Sequence, residues 1–355
     1  MISKEILNID WLNATSEKLN RADKILLEKV CRAVLLLEGL VESRLDFIFK
    51  GGTAAMLLLD QPRRFSIDID IIVDRSDNLE EAFQSFTIEK SFLRFELQAR
   101  KQNSEIEKHH YKFYYNPIYR TSQSEDAVLL DILVEKNQYK EIKSAPIHLP
   151  FLTQKGDPLS VRIPSVNDLI ADKLTAFAPN TTGIPYEKSG QSMSLEIIKQ
   201  LYDIGTLFEK ADNPKTISQV FQAIAKTELH YRKLDQHYNE VVEDILSTSL
   251  CISSRGKLGD GEFPALQTGI RRISSYIFSE RYSIEKAILH ASHTAYLAHL
   301  IQQKGSGITF YDGPEKIGDL LINNTALNRL NRLKKSNPEA FYYWYLVSQF
   351  EAEQE

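Results

Sequence analysis

The stretch FIFKGGTAAMLLLDQPRRFSIDIDIIVD, residues 47–74, is the part of the sequence that most strongly indicates a fold. Its first residues predict a short strand, GG a turn, and TAAMLLLD a short apolar helix. Ser66–Val73 alternates and then ends in a β-branched apolar run, which predicts a core strand. Asp68 and Asp70 are two residues apart on it, so they share one face. Neighbouring carboxylates repel and are costly to bury, which indicates a site. The alternative is an edge strand with a solvated face.

The composition is that of an ordinary globular protein. Of 355 residues 43% are hydrophobic and 26% are charged. The sequence has neither an apolar run of about 18 residues nor the apolar centre of a signal peptide, so we expect a cytoplasmic protein without a membrane segment. The net charge of −5 provides no general attraction to nucleic acid, so any contact with RNA would need a local patch. Cys31 and Cys251 are expected to be buried, reduced thiols.

The order of the elements predicts an α+β fold in two domains. A helix at 21–42, the strands around the two aspartates, and three further strands at FLRFELQAR, HHYKFYYNPIY and AVLLDILVE indicate a mixed sheet with flanking helices over residues 1–210. Two helices, SVNDLIADKLTAFA and SLEIIKQLYDIGTLFEK, end that domain. Residues 211–355 then predict an all-α helical bundle, with helices at 214–227, 230–250, 264–280, 284–302 and 338–350.

The segment Lys50–Thr53, KGGT, predicts an anion site. A strand that runs through two glycines into a helix exposes backbone N–H groups at the positive end of the helix dipole, where phosphate is a common ligand. A turn without a ligand is the alternative.

Asp131 is a third candidate carboxylate. It is the one polar residue of the apolar run 128–134, and a buried carboxylate needs a partner. If its strand lies beside that of Asp68 and Asp70, three carboxylates converge as ligands of Mg²⁺ or Mn²⁺. Two such ions stabilise the attacking and leaving oxygens of a phosphoryl displacement. A hydrogen-bonded structural aspartate is the alternative.

Lys173 and Asp203 lie on the two later helices. Lys173 falls within an apolar stripe, so it needs an anion, either a nucleotide phosphate or an acidic side chain, unless it extends past the core to water. Asp203 follows Lys199 by four residues, which leaves a surface ion pair and a functional role both open. Three histidines of one helix are expected to lie on its surface or in the core, with metal ligation as the alternative: His290, His293 and His299. Four basic residues are expected to form a solvated face, with RNA contact as the alternative: Arg329, Arg332, Lys334 and Lys335.

Together these residues resemble the AbiEii family of nucleotidyltransferase toxins, within the DNA-polymerase-β-like superfamily. The resemblance rests on five segments: KGGT at 50–53, RFSIDID at 64–70, LDI at 130–132, SVNDLIADKL at 165–174 and LYDI at 201–204. It implies a minimal nucleotidyltransferase domain. It implies that nucleotide is bound by Gly51, Gly52, Thr53, Arg64, Ser66 and Lys173. It implies that metal is held by the aspartate pair and that Lys173 and Asp203 complete the site. Asp131, on the neighbouring predicted strand, joins both sets, so the expected metal ligands are Asp68, Asp70 and Asp131, and the expected catalytic residues are Asp68, Asp70, Asp131, Lys173 and Asp203.

The function that this resemblance implies is metal-dependent transfer of a nucleoside monophosphate from an NTP to an acceptor hydroxyl. RNA, such as a tRNA end, is the expected acceptor, with a protein hydroxyl as the alternative. The protein would act as the toxin of a toxin–antitoxin or phage-defence system, with a cognate antitoxin as partner. A nucleotide-binding module without turnover and a glycosyltransferase with a DxD metal site remain alternatives.

Overall fold

The structure is a computed structural model that describes residues 1–76, 78–98, 107–119 and 124–351. The chain divides into two compact units. Unit 1 comprises Met1–Ser165 and Ser275–Arg281, and unit 2 comprises Val166–Ser274 and Tyr282–Glu355. The sequence predicts a domain boundary at residue 210, whereas the two units divide at Ser165, so the helices that follow Ser165 group with the later helices.

The helices of unit 1 are α1 Ile9–Lys18, α2 Lys24–Glu42, α3 Gly51–Leu58 and α4 Leu79–Phe86. The predicted helix at 21–42 is α2. It begins after Asp23, whose side chain accepts the backbone N–H groups of Ile25 and Leu26, because the first N–H groups of a helix have no partner within it. The segment that contains α1 was not predicted.

Five strands of the described residues form the main sheet of unit 1, in the order β1-β2-β5-β4-β3. They are β1 Ile48–Lys50, β2 Ile69–Val73, β3 Arg94–Leu97, β4 Glu107–Tyr115 and β5 Asp126–Val134. β2 and β5 are parallel, and the other neighbours are antiparallel. The predicted mixed sheet with flanking helices, an α+β fold, is confirmed.

The second strand is shorter than the sequence predicted. It begins at Ile69, so Ser66–Asp68 precede it as irregular backbone. The reason is that this backbone is bonded outside the sheet: Phe65 N–H donates to the Tyr276 carbonyl at 2.8 Å, and the Asp68 carbonyl accepts the Thr53 hydroxyl at 2.7 Å.

A hairpin completes unit 1. β6 Ile142–Pro146 pairs with β7 Ser160–Pro164 in antiparallel orientation. The prolines of this part predict a connection rather than strands. Both strands end in a proline, which is typical of a connection. β6 has no apolar pattern, whereas β7 alternates the exposed Ser160 and Arg162 with the buried Val161 and Ile163, a short strand signal that was overlooked.

Unit 2 is helical apart from a short hairpin of β8 Glu187–Lys188 and β9 Gln191–Ser192. Its helices are α5 Val166–Ala176, α6 Ser194–Leu207, α7 Pro214–Tyr231, α8 Tyr238–Ser253, α9 Phe263–Arg272, α10 Ile284–Gln302, α11 Leu333–Ser336 and α12 Pro338–Glu351. Each helix predicted after residue 213 has its counterpart. α10 is central, since it packs against α6, α8 and α12. Single turns of 3-10 helix lie at Lys4–Leu7, Phe208–Lys210, Ile273–Ser275, Pro314–Ile317 and Asn328–Arg332.

Among the helices that the structure describes, none is long and apolar enough to cross a membrane. Cys31 and Cys251 are free and buried, as predicted.

Candidate active site

A row of polar residues crosses four strands of the main sheet. Lys50 on β1 is opposite Asp70 on β2, Asp70 is opposite Asp131 on β5, and Asp131 is opposite His110 on β4. Residues in register on neighbouring strands project to the same face. We call Lys50, Asp70, Asp131 and His110 the polar row. It places two carboxylates side by side on adjacent strands, which the sequence analysis made a condition of the site.

The polar row lies on the more exposed face of the sheet. Along β5 Leu130 and Ile132 are buried, whereas Asp131 between them is half-buried, with 36% of its side chain exposed. The same alternation places Asp70 between the buried Ile69 and Ile71. Asp131 was expected inside a fully buried run. The apolar residues on either side of it hid the alternation, because Leu129 and Leu133 are half-buried as well.

Asp131 has a partner that the sequence analysis missed. His110 Nδ1 lies 2.6 Å from Asp131 Oδ1. An ionised carboxylate only accepts hydrogen bonds, so the tautomer of His110 that carries its proton on Nδ1 donates to Asp131. Residues 110 and 131 belong to different predicted strands, and nothing in the local pattern gives their register. The sequence indicates that Asp131 needs a partner but not which residue provides it.

The Gly-Gly turn lies against the polar row. α3 begins at Gly51, whose φ is +80°, and a Cβ there would collide with Asp70 Oδ2. A Cβ at Gly52 would lie 2.5 Å from Ser66 Oγ and 2.8 Å from Arg64 Nη2. Only glycine lets these side chains approach the start of α3 so closely. The turn therefore brings the N–H groups of a helix N-terminus together with the Ser66 hydroxyl and the Arg64 guanidinium, which suits a phosphate, and it places the Asp70 carboxylate beside them.

Thr53 and Arg64 also have structural contacts. The Thr53 hydroxyl donates to the Asp68 carbonyl at 2.7 Å and is buried, so it ties α3 to the segment before β2. Arg64 is 5% exposed and its Nη1 donates to the Phe65 carbonyl at 2.8 Å. These bonds hold the backbone around Ser66 and Asp68 against the start of α3.

Asp68 is half-buried and lies one residue before β2. In the residues that the structure describes, no three His, Cys, Asp or Glu side chains are arranged to hold one metal ion. Mg²⁺ commonly takes one or two carboxylates and completes its shell with water and phosphate oxygens. The oxygen donors of Asp68 and Asp70, next to a turn suited to phosphate, fit an ion of that kind.

Lys173 and Asp203 form an ion pair within unit 2. Lys173 Nζ lies 2.8 Å from Asp203 Oδ2, and the two side chains are 5% and 4% exposed. The anion that Lys173 needs in its apolar stripe is thus provided by an acidic side chain. The alternative of a surface ion pair for Asp203 is wrong, because Asp203 is buried. Lys199 Nζ lies 2.9 Å from Glu196.

The other charged candidates are engaged in the fold of unit 2. His290, His293 and His299 are buried on α10, as expected of core histidines. In the basic cluster Arg332 donates to the Ser254 carbonyl and Lys334 to the carbonyls of Gly318 and Leu320. Two of its four cations therefore hold backbone carbonyls.

Comparison with solved structures gives the class of the fold. MenT4, a nucleotidyltransferase toxin from Mycobacterium tuberculosis, is similar over 93% of this chain and 98% of its own, with 11% identity and a TM-score of 0.54. A protein from H. pylori that is assigned as a nucleotidyltransferase is 16% identical over 84% of this chain and 97% of its own, with a TM-score of 0.39. The mixed sheet and the likeness to MenT4 define a nucleotidyltransferase fold.

The family follows from the sequence. The model of the nucleotidyl transferase AbiEii toxin family, of type IV toxin–antitoxin systems, matches residues 35–278. This match spans more than half of the chain, so the protein belongs to the AbiEii family and is a nucleotidyltransferase. No relative was found among the curated proteins.

Proposed function

We propose that the protein transfers a nucleoside monophosphate from an NTP to an acceptor hydroxyl of RNA, and that this reaction makes it the toxin of its type IV pair. The observation that carries the proposal is the polar row: Asp70 and Asp131 are in register on parallel strands, on the more exposed face of the sheet, beside the Gly-Gly turn. Few reactions other than phosphoryl transfer use neighbouring carboxylates next to a phosphate site.

The turn and its neighbours would hold the triphosphate. The first N–H groups of α3 point away from the helix and attract an anion. The Ser66 hydroxyl and the Arg64 guanidinium lie against the same turn and can donate to phosphate oxygens. Asp68 and Asp70 would hold Mg²⁺ or Mn²⁺, which when bound neutralises charge on the phosphate oxygens and on the leaving pyrophosphate.

Asp131 would act on the acceptor. Its carboxylate accepts the proton of the acceptor hydroxyl as that oxygen bonds to the α-phosphorus. The bond from the α-phosphorus to the bridging oxygen of the β-phosphate breaks, and pyrophosphate leaves with those electrons. The half-exposed position of Asp131 supports this role, because an acceptor must reach it from solvent.

RNA, with a tRNA end as the first candidate, is the proposed acceptor, and a protein hydroxyl is the alternative. We place the reaction in the cytoplasm, where NTPs and RNA occur, and propose a cognate antitoxin as partner because the family belongs to toxin–antitoxin systems. The net charge of −5 implies that RNA is bound through local contacts rather than a general attraction.

The roles that the family resemblance implies for Lys173 and Asp203 remain proposals. Each is buried in its ion pair. A test of these roles must therefore measure NTP binding and the unfolding free energy on the same variants, so that a loss of binding can be told from a loss of folding.

A labelling assay tests the proposal. The protein is incubated with total RNA, lysate protein, Mg²⁺ and each α-labelled NTP in turn, with and without EDTA. We expect label in RNA from at least one NTP, and none with EDTA. Label in protein alone would keep the reaction and overturn the RNA acceptor. NTP binding without label in either pool would favour a nucleotide-binding module.

A further inference from the structure

We infer that His110 is a positioning residue for Asp131, and that it presents one oxygen of that carboxylate to the acceptor hydroxyl. This inference rests on the proposed function. The inference adds to the proposed site a residue of a third strand, β4, which pairs with β5, the strand of Asp131.

The geometry of the pair is specific. His110 and Asp131 are opposite each other on antiparallel strands, on the same face, with Nδ1 and Oδ1 2.6 Å apart. Their side chains are 19% and 36% exposed. Ion pairs at this exposure contribute little to folding, so we expect the loss of this bond to change the position of the carboxylate rather than the stability of the fold.

The neighbours of Asp131 explain why it needs such a bond. Asp70 is in register with it on the other side, and neighbouring strands are about 4.8 Å apart. Two carboxylates at this spacing repel. A donor from β4 holds Asp131 on the side away from Asp70 and fixes the plane of its carboxylate. Oδ1 of Asp131 then accepts the hydrogen bond from His110, and Oδ2 can accept the proton of the acceptor hydroxyl.

The consequence concerns the chemical step rather than nucleotide binding. The acceptor proton passes to Oδ2 as the acceptor oxygen bonds to the α-phosphorus and pyrophosphate leaves. A misplacement of about 1 Å of a group in that step costs on the order of 100-fold in rate. The phosphates are assigned to the Gly-Gly turn, which His110 does not form.

Three substitutions separate these effects. His110→Phe keeps a ring but removes the donor. His110→Asn keeps an N–H donor, because the amide nitrogen of asparagine occupies nearly the same position relative to Cβ as Nδ1. His109→Phe is the matched control: His109 is the adjacent residue of β4, projects to the other face of the strand and pairs with Glu107 at 2.7 Å.

We expect His110→Phe to lower kcat for label transfer by about 10- to 100-fold, because a displacement of the reacting carboxylate by up to about 1 Å costs that order in rate, with KM for the NTP unchanged. His110→Asn should recover most of kcat, and His109→Phe should behave as the wild-type protein. Wild-type kcat in His110→Phe, or no recovery in His110→Asn, would overturn the inference.

A second readout does not need turnover. The ¹⁵N shifts of the His110 ring, measured at the same pH in both proteins, should report a protonated Nδ1 in the wild-type protein and a changed tautomer in Asp131→Ala. Identical shifts in both proteins would show that the pair does not hold His110 and would overturn the inference. A wild-type protein with no transfer contradicts the proposed function and this role with it. An active wild type with an equally active His110→Phe contradicts the role of His110 alone.

Discussion

Gly51 carries the most restrictive contact of the candidate site. Its φ is +80° and a Cβ would collide with Asp70 Oδ2. Gly51→Ala should therefore displace Asp70 and abolish label transfer. Gly156→Ala is the matched control, because φ there is +71° and nothing lies within 4 Å of the added Cβ. The control should cost only backbone strain, about 1–2 kcal/mol of unfolding free energy, and keep activity. Equal activity in the two variants would contradict the contact.

Lys173 allows a test of how much a single buried ion pair contributes to the stability of unit 2. Removal of one partner from a buried ion pair costs about 3–5 kcal/mol, since the other charge remains in a poorly solvated place. Lys173→Met should lower the unfolding free energy by that order in urea denaturation. Lys173→Met with Asp203→Leu should recover most of it. Lys199→Met, whose partner Glu196 is 38% exposed, should change little. A double variant no more stable than Lys173→Met would contradict a simple ion pair.

Helix α10 makes the stability of unit 2 depend on pH. Burial lowers the pKa of His299 to about 4 and also lowers the pKa of His293. The unfolded chain therefore binds more protons below about 6.5, so the unfolding free energy is highest above that pH and falls as pH drops to about 4. His299→Leu should make this fall shallower in urea titrations at several pH values. His148→Gln, at an exposed position, should not. An unchanged slope in His299→Leu would contradict the assignment.

The elements that were predicted well from the sequence are helices whose apolar residues recur at helical spacing over several turns. α7 and α10 begin at residues 214 and 284, where apolar residues at helical spacing predict them, whereas α8 begins at Tyr238 rather than at residue 230. The start of β2 could not be predicted, because the extended pattern from Ser66 is interrupted by bonds to α3 and to Tyr276, which are distant in sequence. The local sequence pattern of each strand identified the aspartate pair and Asp131 as candidates. It could not identify His110 as the partner of Asp131, because that pairing depends on the register between two strands. Register between strands depends on long-range pairing.

For the whole chain, the division into units predicts how fragments fold. The apolar residues of α5 and α6 are covered by α7, α9 and α10 of the same unit. A fragment of residues 1–210 would expose them, whereas residues 166–355 keep them covered. We expect the first fragment to bind a hydrophobic dye and unfold without a cooperative transition, and the second to unfold cooperatively. Cooperative unfolding of fragment 1–210 would instead support a domain boundary at residue 210.

Transfer of label by Asp131→Asn, measured together with NTP binding, tests the central claim most directly. The claim is that the polar row performs nucleotidyl transfer, with Asp131 acting on the acceptor. Asp126→Asn is the matched control, because Asp126 lies on the same strand and pairs with Lys29 at 2.9 Å. We predict that Asp131→Asn binds NTP as the wild-type protein does but transfers no label, while Asp126→Asn does both. Wild-type transfer by Asp131→Asn would contradict the account.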